Sequence, residues 1–257
     1  MLNDEDIINC IDKEDNSTPI VIEIKDSKSL PLWKDIVLFV VGCIGIYVVS
    51  IIAVLITRLL NLGSESEFDG ASNFITYAML FVALLGVLNI HIPRFSKDKK
   101  WPSILVGVGI GVGMIAMPIF YNIFVSFFRT TDISDNEKGL RSFITIYPML
   151  SVIFLGFIGP ICEELTYRVG LFNIFKKHKW LAYFVSILIF AFMHFGFTSE
   201  DIVNEFINLP VYIFSGAMLA LAYDKFGFWG SLSAHITNNV YSVCMIILYA
   251  QLGLLNG

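Results

Sequence analysis

Residues Phe143–Cys162 read FITIYPMLSVIFLGFIGPIC and run without a single charge into Glu163-Glu164-Leu165-Thr166-Tyr167-Arg168. Twenty apolar residues span a bilayer as a helix. A helix is required there, because lipid offers the backbone no hydrogen-bond partner. Six more uncharged runs recur along the chain: Ile36–Thr57, Phe74–Ile90, Ser103–Phe128, Trp180–Phe197, Phe206–Tyr223 and Phe228–Tyr249. Hydrophobic residues make up 56% of the 257 and charged residues 15%, where a soluble domain carries about 25% charged. So apolar a chain cannot hide its excess in one water-soluble core. The expectation is an all-α polytopic transmembrane helix bundle of about seven spans.

Lys and Arg set the orientation, since cytoplasmic loops are enriched in them. Alternating seven spans puts 13 of these residues with the N-terminus and 4 on the other side. The N-terminus is therefore expected in the cytoplasm. Residues 1–35 hold nine acidic residues and no apolar h-region, which reads as an acidic cytosolic tail and not a signal peptide. Residues 36–142 then form N-terminal transmembrane helices, and 143–257 a second transmembrane core. The net charge of −5 gives no basic excess, which argues against a nucleic-acid partner. Cys10, Cys43, Cys162 and Cys244 lie far apart and suggest neither a disulfide framework nor a zinc knuckle.

Gly107, Gly109, Gly111 and Gly113 alternate inside one apolar run. A nucleotide-binding fingerprint needs a strand before the glycines and a helix after them. The pairs Gly107/Gly111 and Gly109/Gly113 are instead spaced to let helices approach closely. Gly216 is expected to serve the same end.

Ionisable residues inside apolar runs are costly and point to function. Val169–Phe175 is apolar, so the fourth helix can continue past Glu163 to about Phe175. Such a helix is long for one span, and a tilt or break is expected. At about 1.5 Å per residue, Glu163, His194, His235 and Asn239 fall at similar depth on three helices. Glu164 and Arg168 are spaced i, i+4 with Glu first, which favours a structural ion pair. Glu163 points about 100° away and is free to act as a base. His235 and Asn239 are also i, i+4 and share a face, while Asn238 looks elsewhere and is expected to be structural.

Glu163-Glu164-x-x-x-Arg168, then Phe190-x-x-x-His194, then His235-x-x-x-Asn239 resemble the three motifs of the CPBP family. These are the CAAX prenyl protease type II and bacteriocin-processing intramembrane proteases, also called the Abi family. The resemblance covers roughly Phe143–Tyr249. It implies a multi-pass membrane endopeptidase with its active site sunk in the bilayer and open toward the cytoplasm. It further implies that Glu163 and His194 activate water, and that His235 and Asn239 steady the oxyanion. The residues fit that chemistry, since peptide hydrolysis needs a base for water and donors for the developing charge.

Glu163, His194 and His235 are also a possible Zn2+ set with an open water position. No H-E-x-x-H accompanies them, and Asn239 beside His235 reads more like an oxyanion clamp. The expectation leans to a site without cofactor, with zinc the alternative. The implied partners are the lipid bilayer and a membrane-associated peptide or protein substrate, in a bacterial plasma membrane. Two other functions stay open at this level: a non-catalytic protein of bacteriocin immunity or regulation, and a proton-coupled carrier.

Overall fold

A computed structural model of the protein describes residues 30–60, 65–88, 100–127 and 133–254. The tail before residue 30, with Cys10, and the loop at 89–99 lie outside the described residues. Every regular element described is helical: α1 Leu32–Cys43, α2 Gly45–Leu59, α3 Glu65–Leu88, α4 Lys100–Ser126, α5 Asp135–Ile146, α6 Pro148–Phe172, α7 Lys179–Met193 and α8 Ile202–Gln251. The protein is a multi-pass helical membrane protein. Helices α4, α6, α8 and the Ala71–Leu88 part of α3 are each long and apolar enough to cross a bilayer. The α1–α2 pair, bent by 41° at Ile44, makes a fifth candidate span.

Seven segments were expected, and two of the described helices bear on that count. Helix α7 has only 15 residues, about 22 Å of rise. Helix α8 consists of two arms joined at Gly227, with φ 69° and ψ −169°, a backbone that glycine alone adopts readily, and the two arms correspond to the runs Phe206–Tyr223 and Phe228–Tyr249. At Gly227 the chain turns back, so that Ser231 Oγ reaches Leu219 O at 3.0 Å.

The fourth run also differs from its expected limits. It begins at Pro148 and not at Phe143, because the residues before it form the separate helix α5. Ser134 caps α5 by accepting from Glu137 N at 3.2 Å, and Glu137 pairs with Arg141 at 2.7 Å. The helix ends at Tyr147 (φ −128°, ψ 62°), and Pro148 opens the next one, where its missing N–H costs nothing. The expected continuation past Glu163 is present, and α6 runs to Phe172. Two wide π-type stretches, Phe154–Ile158 and Glu164–Phe172, interrupt it.

Close packing sets the helix positions. A Cβ on Gly107 would meet Gly230 O at 2.2 Å, and one on Gly111 would meet Ala234 O at 2.6 Å. These two glycines let α4 press against the second arm of α8. Gly109 and Gly113 face open space, so only one of the two expected pairs serves packing. Gly216 lies against α7, where an added Cβ would meet Phe190 at 3.2 Å. Asp35 belongs to α1 and is buried; its backbone carbonyl abuts Gly170 near the end of α6.

Candidate active site

Helix α6 brings Glu163 and Glu164 into the bundle, α7 ends beside them at His194, and the second arm of α8 supplies His235 and Asn239. Glu163 Oε2 lies 3.8 Å from His194 Nε2 and 3.7 Å from His235 Nε2. It is buried without a hydrogen-bond partner among the described residues. His194 Nδ1 lies 2.8 Å from Phe190 O, so Nδ1 carries the proton and donates it to that carbonyl. His235 Nδ1 lies 2.9 Å from Glu164 Oε1 and is likewise the donor. Both Nε2 atoms are therefore lone-pair acceptors in the neutral rings. Three acceptors from three helices face one small space, and what suits three lone pairs is a proton donor such as water, or a cation.

Beneath this space lies a second, fully buried set. Glu164 accepts from His235 and from the Ser231 hydroxyl. Arg168 Nε stands 3.7 Å from Glu164 Oε2. The guanidinium also donates to Ser186 Oγ at 2.8 Å and to Gly216 O at 3.3 Å, and it stacks over the Phe190 ring at 5.1 Å. Glu164, Arg168, Ser186 and Ser231 are each 0% exposed. Buried charges persist only when paired and hydrogen-bonded, and here α6, α7 and both arms of α8 supply the partners.

Asn239 owes its setting to the first wide stretch of α6. The Gly159 N–H bonds Phe154 O, so it does not serve Leu155 O. Pro160, next in line, has no N–H. The Leu155 carbonyl is thus open to a side chain, and Asn239 Nδ2 donates to it at 3.1 Å. One amide proton of Asn239 is left to face the cavity. Asn238 donates to Asn239 Oδ1 at 3.3 Å and itself lines the cavity, contrary to its expected structural place. Cys162 is buried in the apolar core with Leu165 and Val169, away from the histidines.

Two residues escaped the sequence reading. Glu205, 1% exposed, accepts from Asp135 N at 2.8 Å and Gly196 N at 2.9 Å. It ties α5 and the turn after His194 to the start of α8. Its signal was an acid at the edge of the apolar run Phe206–Tyr223. Tyr212 stacks on His194 with centroids 5.1 Å apart, and its hydroxyl meets Ser134 Oγ at 2.8 Å.

A cavity of about 370 Å³ rises from His194, His235 and Asn239 between α4 and α8, and Asn136 and Glu137 of α5 line its upper end. No lining residue comes from the opposite ends of the helices, near Lys100, Lys176 and Lys225. The start of α1, which abuts the end of α6 through Asp35 and Gly170, also lies at that opposite end. A cytoplasmic N-terminus and a site open to the cytoplasm, both expected above, therefore exclude each other.

Among the described residues no group of three or more His, Cys, Asp or Glu is arranged to hold a metal ion.

Fold and site define a polytopic helical membrane protein in which two imidazoles line a cavity and a carboxylate stands within 3.8 Å of both. Residues 145–241, which contain all three motifs, match the family described as type II CAAX prenyl endopeptidase Rce1-like. The family resemblance carried by the motifs and the family found by this match are the same. UPF0177 protein YvdC of Lactococcus lactis is 25% identical over 231 residues, 84% of this chain and 85% of its own. Membrane-embedded CAAX protease MroQ of Staphylococcus aureus is 24% identical over 177 residues, 62% of this chain and 68% of its own. No solved structure matches the chain.

Proposed function

We propose that this protein is an endopeptidase of a bacterial plasma membrane that hydrolyses a peptide bond in a membrane-associated peptide or protein with a water activated by Glu163. The observation that carries this reading is that His194 Nε2 and His235 Nε2 both lie within 3.8 Å of Glu163 Oε2. Glu163 takes a proton from the water as its oxygen attacks the carbonyl carbon, and returns that proton to the leaving amine. His194, held by Phe190 O, is the second acceptor that orients the water. Asn239 offers its remaining amide proton to the oxyanion. His235, its Nδ1 proton committed to Glu164, stands one helical turn from Asn239 on the same wall of the cavity.

The test compares the membrane and secreted peptides of cells carrying wild type or Glu163→Gln. Peptides cut only by wild type are expected. Identical peptide sets at equal protein abundance would refute the reading and favour a non-catalytic role.

A further inference from the structure

The cavity reaches only one end of the bundle. At its inner end Phe190, His194 and His235 line it, and behind His235 lies the closed Glu164–Arg168–Ser186–Ser231 network. Its walls rise from there along Pro118, Asn122, Asn208 and Ile246 to Asn136 and Glu137. No path along the lining leads the other way.

Charge distinguishes the two ends. Lys34, Lys100, Lys176, Lys177, Lys179 and Lys225 lie at the closed end, against Arg58, Lys138 and Arg141 at the open one. Lys138 and Arg141 are paired with acids of their own helix, Asp135 and Glu137. Arg168 is buried inside α6 and drops out of the loop count. Among the described residues the split is then six to three in favour of the closed end. Lys and Arg excess marks the cytoplasmic side. The floor of the site thus faces the cytoplasm, and its mouth faces away from it.

The lining says what enters. Asn122, Asn136, Asn208, Asn238 and Asn239 all border the cavity, and no Lys or Arg does. A carboxamide carries both donors and an acceptor, which is what the alternating N–H and C=O of an extended peptide require. A terminal carboxylate is best held by a Lys or Arg, and the lining has neither. The volume of about 370 Å³ is at the small end of the roughly 300–1,000 Å³ of ligand sites, enough for a short stretch of chain and too little for a folded domain.

We infer that the site opens on the extracytoplasmic face and takes an extended internal segment of an exported or membrane-inserted peptide from that side. The substrate part of this inference rests on the endopeptidase reading above; the orientation does not.

Single cysteines at Asn136→Cys, Lys138→Cys and His178→Cys, in a background without the four native cysteines, test the orientation in intact cells with a membrane-impermeant maleimide. Positions 136 and 138 are expected to react at once, and 178 only after permeabilisation. The reverse pattern would overturn the inference. Should the cysteine-free background fold poorly, alkaline phosphatase fused after Gly257 of the full chain gives a second measurement. Helix α8 ends on the open side, so the enzyme, active only when exported, should be active; an inactive fusion with a fluorescent cytoplasmic reporter in its place would overturn the inference. For the substrate, cuts lost in Glu163→Gln cells should fall inside chains, in extracytoplasmic or outer-leaflet segments. Cuts confined to cytoplasmic segments would refute it. Expected labelling with no lost cuts would refute the endopeptidase reading and leave the orientation standing.

Discussion

Glu164→Ala should damage the protein far more than Glu163→Gln, although the two residues are neighbours. Glu164 is fully buried and accepts from His235 Nδ1 at 2.9 Å and from Ser231 Oγ, with Arg168 Nε at 3.7 Å as its counter-charge. Removing it leaves a buried guanidinium without an anion and an imidazole without its acceptor. Breaking one side of a buried ion pair costs about 3–5 kcal/mol, a large share of a total of roughly 5–15 kcal/mol. The unfolded fraction should rise by about 10²–10⁴, at roughly 1.4 kcal/mol per decade. Glu163 Oε2 has no hydrogen bond to lose among the described residues, so the isosteric Glu163→Gln should change stability by less than about 1 kcal/mol. Unfolding of the purified variants in detergent, with their abundance in membranes, measures both. Because the two buried charges share one network, Glu164→Ala with Arg168→Ala should cost less than the sum of the single changes. Wild-type stability in Glu164→Ala, or an equal loss in Glu163→Gln, would show that the structural and chemical glutamates have been exchanged.

Asn239→Ala should lower kcat by about 10²–10³, the cost of one oxyanion donor, with KM little changed; steady-state kinetics on a cut peptide would show full activity if the assignment is wrong. Treatment of the purified enzyme with a chelator should leave cleavage intact, whereas activity lost and restored by added Zn2+ would assign Glu163, His194 and His235 to a metal. Gly111→Ala should destabilise by about 1–3 kcal/mol through overpacking, since its Cβ would meet Ala234 O at 2.6 Å. Gly113→Ala, facing open space, should be neutral or slightly stabilising in the same unfolding assay.

The sequence by itself determined the helical membrane architecture, because an uncharged run of about twenty residues leaves the backbone no alternative in lipid. It also singled out Glu163, Glu164, Arg168, His194, His235 and Asn239. Ionisable side chains inside such runs are expensive, and the i, i+4 spacing that relates two of these pairs is local to one helix. The break at Tyr147 was half visible in Pro148, but an amphipathic α5 before it was not, since Phe143 and Ile144 continue the apolar pattern without interruption. Which glycines pack could not be read from spacing, because Gly107/Gly111 and Gly109/Gly113 are equivalent until a neighbour occupies one face. Tertiary structure alone decided that Glu164 holds His235 and Ser231 as well as Arg168, since those partners lie 71 and 67 residues away along the chain. It alone placed Glu205 as the tie between α5 and the turn after His194. It also decided which end of the bundle the cavity reaches, because that depends on the length of α7 and the turn at Gly227, where helices distant in sequence meet.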